Sequence, residues 1–153
     1  MILQRGTTGF QHCQEPQLPL VDLRAFRCVF HTVARDLSAT VIHSPRRRPE
    51  TECSFTDALL EIGADRIAVL LNCFHPLIAF ASPSRLDGNP EFRDHAELAR
   101  AFSERPEFTV LSTDVLTQFP SPGMLVNLSP TEIEQLNYWK PSQLGDVIFN
   151  HWD

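Results

Sequence analysis

The stretch RIAVLLNCFHPLIAFAS, residues 66 to 82, holds two apolar runs, Arg66 to Asn72 and Leu77 to Ser82, separated by Cys73-Phe74-His75-Pro76. Neither run alternates between apolar and polar residues, so each predicts a strand covered on both faces, at the centre of a sheet. The short link makes an antiparallel hairpin the natural pairing, although four residues including a proline exceed the commonest two-residue turns.

Upstream, Leu23, Phe26, Phe30, Val33 and Leu37 recur at three- and four-residue steps after Asp22, a capping residue, and predict a helix over 22 to 37. The same run is rich in Phe, Val, Cys and Thr, which suit a strand. SATVIHS, 38 to 44, is short and β-branched and predicts a strand. Ser54 stands three residues before Asp57, a capping-box variant, and Phe55, Ala58, Leu59 and Ile62 then share one helical face before Gly63. That pattern predicts a helix near 55 to 62. Residues 1 to 20, with Gly6, Gly9, Pro16 and Pro19, show neither period and read as an irregular, partly mobile leader outside the core.

Downstream of the hairpin, SPSRLDGNPE is a loop by composition. Residues 92 to 104 predict a helix with His95, Leu98, Ala99 and Phe102 inward and Pro106 closing it. EFTVLS, 107 to 112, predicts a further strand, and TDVLTQF at most a helical turn.

Ser129-Pro130-Thr131-Glu132 combines a capping serine, a proline at the first helical position and a capping-box glutamate. The helix it starts should run to Pro141. Ser142 then recaps a second helix with Leu144, Val147, Ile148 and Trp152 on one face. Gly145 in the first turn of that helix costs about 1 kcal/mol relative to Ala, which points to a close approach. Leaving Trp152 exposed would forfeit about 2 to 3 kcal/mol, so the segment must dock. Asp153 adds negative charge where the helix dipole disfavours it, and calls for a basic neighbour. The expected class is α+β: a small, mostly antiparallel sheet with helices packed on it, two C-terminal helices closing the core, and a single domain over 21 to 153.

A chain of 153 residues with 42% hydrophobic and 21% charged side chains supports one globular core. The absence of a long apolar span or a signal-like N-terminal run makes the cytoplasm the expected home. Cys13, Cys28, Cys53 and Cys73 lack short pairings and read as reduced thiols, three of them core filler. The formal net charge of −6 disfavours nucleic acid or an anionic membrane as partner and favours a basic one. The Arg46-Arg47-Arg48 run lies between prolines and reads as a solvated turn.

No glycine-rich phosphate loop, metalloprotease motif or recognisable Ser–His–Asp set occurs. Cys73 and His75, two apart, would point the same way in extended chain and form an activated thiolate pair; the structural alternative is a thiol filling space beside a turn histidine. Asp94 and His95 are adjacent and, on a helix, diverge by about 100°, so they read as first-turn residues, not as a site. Cys28 and His31 have ligand-like helical spacing and could supply two zinc ligands, with His12, Cys13 or His43 supplying others, but scattered histidines and cysteines produce such sets by chance, and no cofactor is expected.

LLNCFHPLIAF (70 to 80), FRDHAELARAF (92 to 102) and YWKPSQLGDVIFNHWD (138 to 153) resemble segments of small bacterial proteins of the toxin-immunity type. The resemblance covers about a third of the chain and contains no catalytic signature. It implies a small cytoplasmic protein that binds and neutralises a toxin. Joined to the acidic charge, it predicts a non-enzymatic inhibitor of a basic toxin such as a nuclease. Tyr138, Trp139, Asp146 and Asp153 are the expected contacts, with Glu132 and Glu134 steering the encounter. The alternatives are a small hydrolase or transferase using Cys73 and His75, and a zinc-stabilised adaptor.

Overall fold

The computed structural model describes residues 1–47, 53–85 and 88–152. Five strands form one sheet in the order of the chain: β1 (Thr40–Arg46), β2 (Phe55–Ile62), β3 (Asp65–Asn72), β4 (Leu77–Ala81) and β5 (Thr109–Val110). All pairings are antiparallel except β4 with β5. That parallel pair needs a long crossover, and the chain between its strands contains α2 (Ala96–Ser103). The class is α+β, as expected.

The predicted central hairpin is present. Ala68 to Leu71 pair with Ile78 to Ala81, and every residue from Ile67 to Asn72 is buried. The continuous apolar run has its cause in two cores, one on each face of the sheet. On one face, α1 (Leu23–Asp36) and α2 pack Phe26, Phe30, Leu98 and Phe102 against Leu60, Val69 and Phe80. On the other, Leu136, Leu144, Val147, Ile148 and Phe149 pack against Phe55, Leu70 and Ala79; they come from α4 (Pro130–Trp139), α5 (Leu144–Ile148) and the residue after it. The short α3 (Thr113–Leu116) joins this second layer through Leu116.

In α1 the helical spacing prevails over the strand-prone composition: Leu23, Phe26, Phe30, Val33 and Ala34 all turn inward, and the Asp22 carboxylate accepts a hydrogen bond from the Ala25 amide at 3.0 Å. The 38 to 44 segment is β1, as its β-branched residues suggested.

The helix expected over 55 to 62 is instead β2. Each of its eight residues is in register with β3, from Phe55 opposite Asn72 to Ile62 opposite Asp65. A lone eight-residue helix is marginal and buries one stripe, whereas a strand between two neighbours satisfies its backbone on both edges and buries both faces. Gly63, read as a helix stop, is the first of two hairpin residues and the only one with positive φ (+60°), the pattern of a type II′ turn. Ser54, read as a cap, donates its hydroxyl to the Ile148 carbonyl at 2.9 Å and accepts from the Asn150 amide at 3.0 Å.

The helix expected from 92 starts only at Ala96. His95 is its cap, accepting through Nδ1 from the Leu98 amide at 3.2 Å, while Phe92 forms a bridge with Ala81. Asp94 instead accepts from the Thr113 amide and hydroxyl, at 2.9 and 2.6 Å.

At the C-terminal end the capping box of Ser129 and Glu132 is present. Lys140 takes a left-handed conformation (φ 49°) that turns the chain into Pro141. The second helix, α5, is only five residues long; its cap position is Gln143, not Ser142, and carries no side-chain capping bond. Trp152 lies beyond it yet is buried, 8% exposed. The helix ends where Phe149 leaves helical conformation (φ −120°, ψ 74°), and Asn150 donates its carboxamide to the Val147 carbonyl (3.0 Å), satisfying a carbonyl the helix end exposes.

The close approach expected at Gly145 is there: a Cβ at this position would sit 2.3 Å from Cε2 and 2.8 Å from Cζ of Phe92. Gly145→Ala is therefore expected to destabilise by about 1 to 3 kcal/mol, despite alanine's helix propensity, because the Phe92 ring must shift. Thermal unfolding of that variant, alone and combined with Phe92→Leu, checks this. Restored stability in the double variant identifies the ring as the obstacle.

Two further expectations need correction. The leader has no regular element, but it is not outside the core: Leu3 is 1% exposed, packs with the α4/α5 layer and donates its amide to the Met124 carbonyl at 2.8 Å. None of the four cysteines is buried, although Cys53 packs against the core. Cys13 and Cys28 are exposed and Cys53 and Cys73 half-buried, because Cys28 falls off the Phe26–Phe30 stripe and Cys13 lies in the leader's turn. Among the described residues, no helix is long and apolar enough to cross a membrane.

Candidate partner-binding site

Two exposed aromatic residues stand at the C-terminal end of α4. Tyr138 is 76% exposed and Trp139 39%, and Phe119 and Val126, in the loop before α4, are 73% and 65% exposed. A row of rings leads inward from this surface. Tyr138 meets Trp139 edge-on at 5.2 Å; Trp139 lies parallel to Trp152, 6.3 Å apart and 4° from coplanar; Trp152 meets Phe10 at 6.1 Å. The Trp139 indole N–H donates to Gln135 Oε1 one turn back, at 3.2 Å. Rings held on a helix and braced from behind bind at low entropic cost, which suits Tyr and Trp as contact anchors.

Two clefts flank the turn at Lys140 and Pro141. One, of about 390 Å³, is apolar and lined by Phe119, Pro120, Leu125 and Leu136. The other, of about 440 Å³, lies between the end of α4 and the tail, with Trp139, Trp152, Ser142, Asp146 and His151 in its walls.

The predicted site residues separate in space. Tyr138, Trp139 and Glu134 are exposed on α4. Asp146 is 3% exposed, so it is no surface contact, but it borders the second cleft. Asp153 lies outside the described residues. Glu132, expected to steer a partner from the surface, is fully buried. Its carboxylate accepts from the amides of Gly6, Thr8 and Ser129 and from the Thr8 hydroxyl, at 2.8 to 3.1 Å. The capping box was visible in the sequence; the use of the same carboxylate to hold the leader was not.

A second buried knot completes the attachment. Asn72 donates to the carbonyls of Thr7 (2.9 Å) and Ile148 (2.7 Å) and accepts from the amides of Phe74 and His75, both at 2.9 Å. Asn150 donates to the carbonyls of Thr8 and Val147, each at 3.0 Å. Leader, sheet end and tail are thus tied by three interior side chains, and Trp152 and Phe10 are held where they back Trp139.

Cys73 lines a small pocket of about 180 Å³ with Cys53, Arg47 and Phe74, but His75 is not in its wall. The His75 ring places Nε2 2.9 Å from the Arg5 carbonyl, which makes that nitrogen the donor. His31 Nε2 is likewise engaged, 2.9 Å from Ser44 Oγ. Among the described residues no group of three or more His, Cys, Asp or Glu is placed to hold a metal. Of the arginine run, Arg46 belongs to β1, the Arg47 guanidinium donates to the Val21 carbonyl at 3.2 Å, and Arg48 lies outside the described residues.

No protein-family model, curated protein or solved structure gives a match to the chain.

Proposed function

We propose that this is a non-enzymatic cytoplasmic binding protein of the immunity type, which neutralises a basic toxin such as a nuclease by covering it with the outer face of α4. The observation that carries the reading is the adjoining pair of exposed rings, Tyr138 and Trp139, backed by Trp152. Exposed aromatics on a braced helix are what an interface core uses, and Phe119 adds exposed apolar area beside the turn at Lys140 and Pro141 that follows them. The net charge of −6, with Glu134 on the same helix, speeds encounter with a positive surface.

The test is affinity capture from the native lysate with the tagged full chain at low and high salt. The reading predicts one stoichiometric basic protein whose retention falls as salt rises. Clean beads at both salts, with the partner's gene expressed, would refute it.

A further inference from the structure

The cleft between the end of α4 and the tail contains something the exposed rings do not: a carboxylate withdrawn from water. Asp146 accepts from the Gln143 carboxamide at 2.9 Å and is also hydrogen-bonded by Ser142, both neutral partners. Among the described residues no cation forms an ion pair with it. Burial holds its carboxyl above the usual carboxylate range, the two hydrogen bonds opposing that shift. The site thus pairs a desolvated acid with indole rings, and a positive charge would complement both.

We propose that this cleft receives an arginine side chain from the basic partner, with the guanidinium on the Asp146 carboxylate and its plane against the indole of Trp139. The inference rests on the binding reading above and names its anchor. Arginine fits better than lysine because a flat, weakly hydrated fork both stacks on an indole and bonds a carboxylate in two places. At about 440 Å³ the cleft admits the whole side chain. The other titratable groups in its wall are Lys140 and His151. Lys140 is exposed at the rim, where solvent screens its charge, so it weakens the site without cancelling it.

The probe is the peptide acetyl-Gly-Arg-Gly-amide, titrated into the full chain while the indole N–H resonances are followed. With two tryptophans in the chain, Trp139 and Trp152 are told apart by one Trp139→Phe spectrum. Citrulline and lysine versions run in parallel. The arginine peptide should shift both signals along a saturable curve, the lysine version less tightly, and the neutral citrulline version should not saturate. Asp146→Asn should weaken the arginine peptide about tenfold, the loss of a charge-assisted contact. Lys140→Asn, which tolerates the left-handed turn, should tighten it. Asp146→Asn should stay folded. A carboxyl raised by burial costs the fold stability progressively as pH rises from the ordinary carboxylate range through the raised one, so at neutral pH the neutral isostere relieves that cost.

Equal responses to arginine and citrulline, or an arginine response unchanged in both variants, overturns the inference. Capture of a basic protein equally by wild type and Asp146→Asn also sinks the cleft's role while leaving the binding reading intact. Saturable arginine binding with no basic protein captured would do the reverse.

Discussion

Replacing Glu132 by alanine is expected to lower the melting temperature by about 10 to 15 °C, equivalent to about 3 to 5 kcal/mol in a chain of this size. The carboxylate is fully buried and serves four donors: the amides of Gly6, Thr8 and Ser129 and the Thr8 hydroxyl. Alanine leaves the three amides in the interior without an acceptor, and each such loss costs about 1 to 3 kcal/mol where water cannot substitute. It also removes half of the capping box on α4. Glu132→Gln keeps the shape but turns a donor toward donors, so its melting temperature should fall between wild type and alanine. Circular dichroism melts of the three proteins check the order. A shift below about 3 °C for alanine would mean that the leader does not depend on this anchor.

Asn72→Ala is expected to cost about 3 to 4 kcal/mol and to act on both chain ends at once. Two of its four bonds shape the connection from β3 to β4, through the amides of Phe74 and His75; the other two hold Thr7 and Ile148. Hydrogen exchange should therefore accelerate at the β3–β4 connection and in the segments around residues 3 to 9 and 148 to 152, while the opposite layer of α1 and α2 keeps its protection. Asn72→Asp separates the two roles. It retains the acceptor for the turn but faces two carbonyl oxygens with an oxygen in place of the amide donor. The turn should survive in Asn72→Asp and the tail should loosen. Uniform exchange across both layers would contradict a local tie.

Much of the fold was legible where a single cause dominates. The runs at 66 to 72 and 77 to 82 are apolar throughout because both faces are covered, and the pattern says so. The capping box at Ser129 and Glu132 is a local device and appears where its residues do. The segment 55 to 62 was misread because its apolar positions fit a helical stripe as well as a strand with two buried faces, and the deciding partner, β3, lies across a turn that periodicity does not reveal. The helical stripe drawn through Leu144, Val147, Ile148 and Trp152 was half right: burial of Trp152 follows from its size, but a side chain four residues after Ile148 can be buried from an extended tail too.

The candidate site shows the same division. Tyr138 and Trp139 were legible as aromatics near a helix end and prove exposed. Glu132 was not legible as an interior anchor, because nothing in the sequence marks residues more than 120 positions apart as bonded neighbours. Phe119 and Val126 sit in a proline-rich loop, where no period signals which side faces out.

The most direct measurement captures the native lysate side by side with wild type and with the double variant Tyr138→Ala/Trp139→Ala. Each ring is a hot-spot candidate worth about 2 kcal/mol, so the pair predicts at least a tenfold loss of the partner. Tyr138 is largely exposed, whereas Trp139, 39% exposed, loses its stack on Trp152, so melting should fall, but by less than in Glu132→Ala. Wild type should hold a basic protein stoichiometrically, and the folded double variant should lose it. The same protein held equally by both would place its binding surface elsewhere and contradict the account.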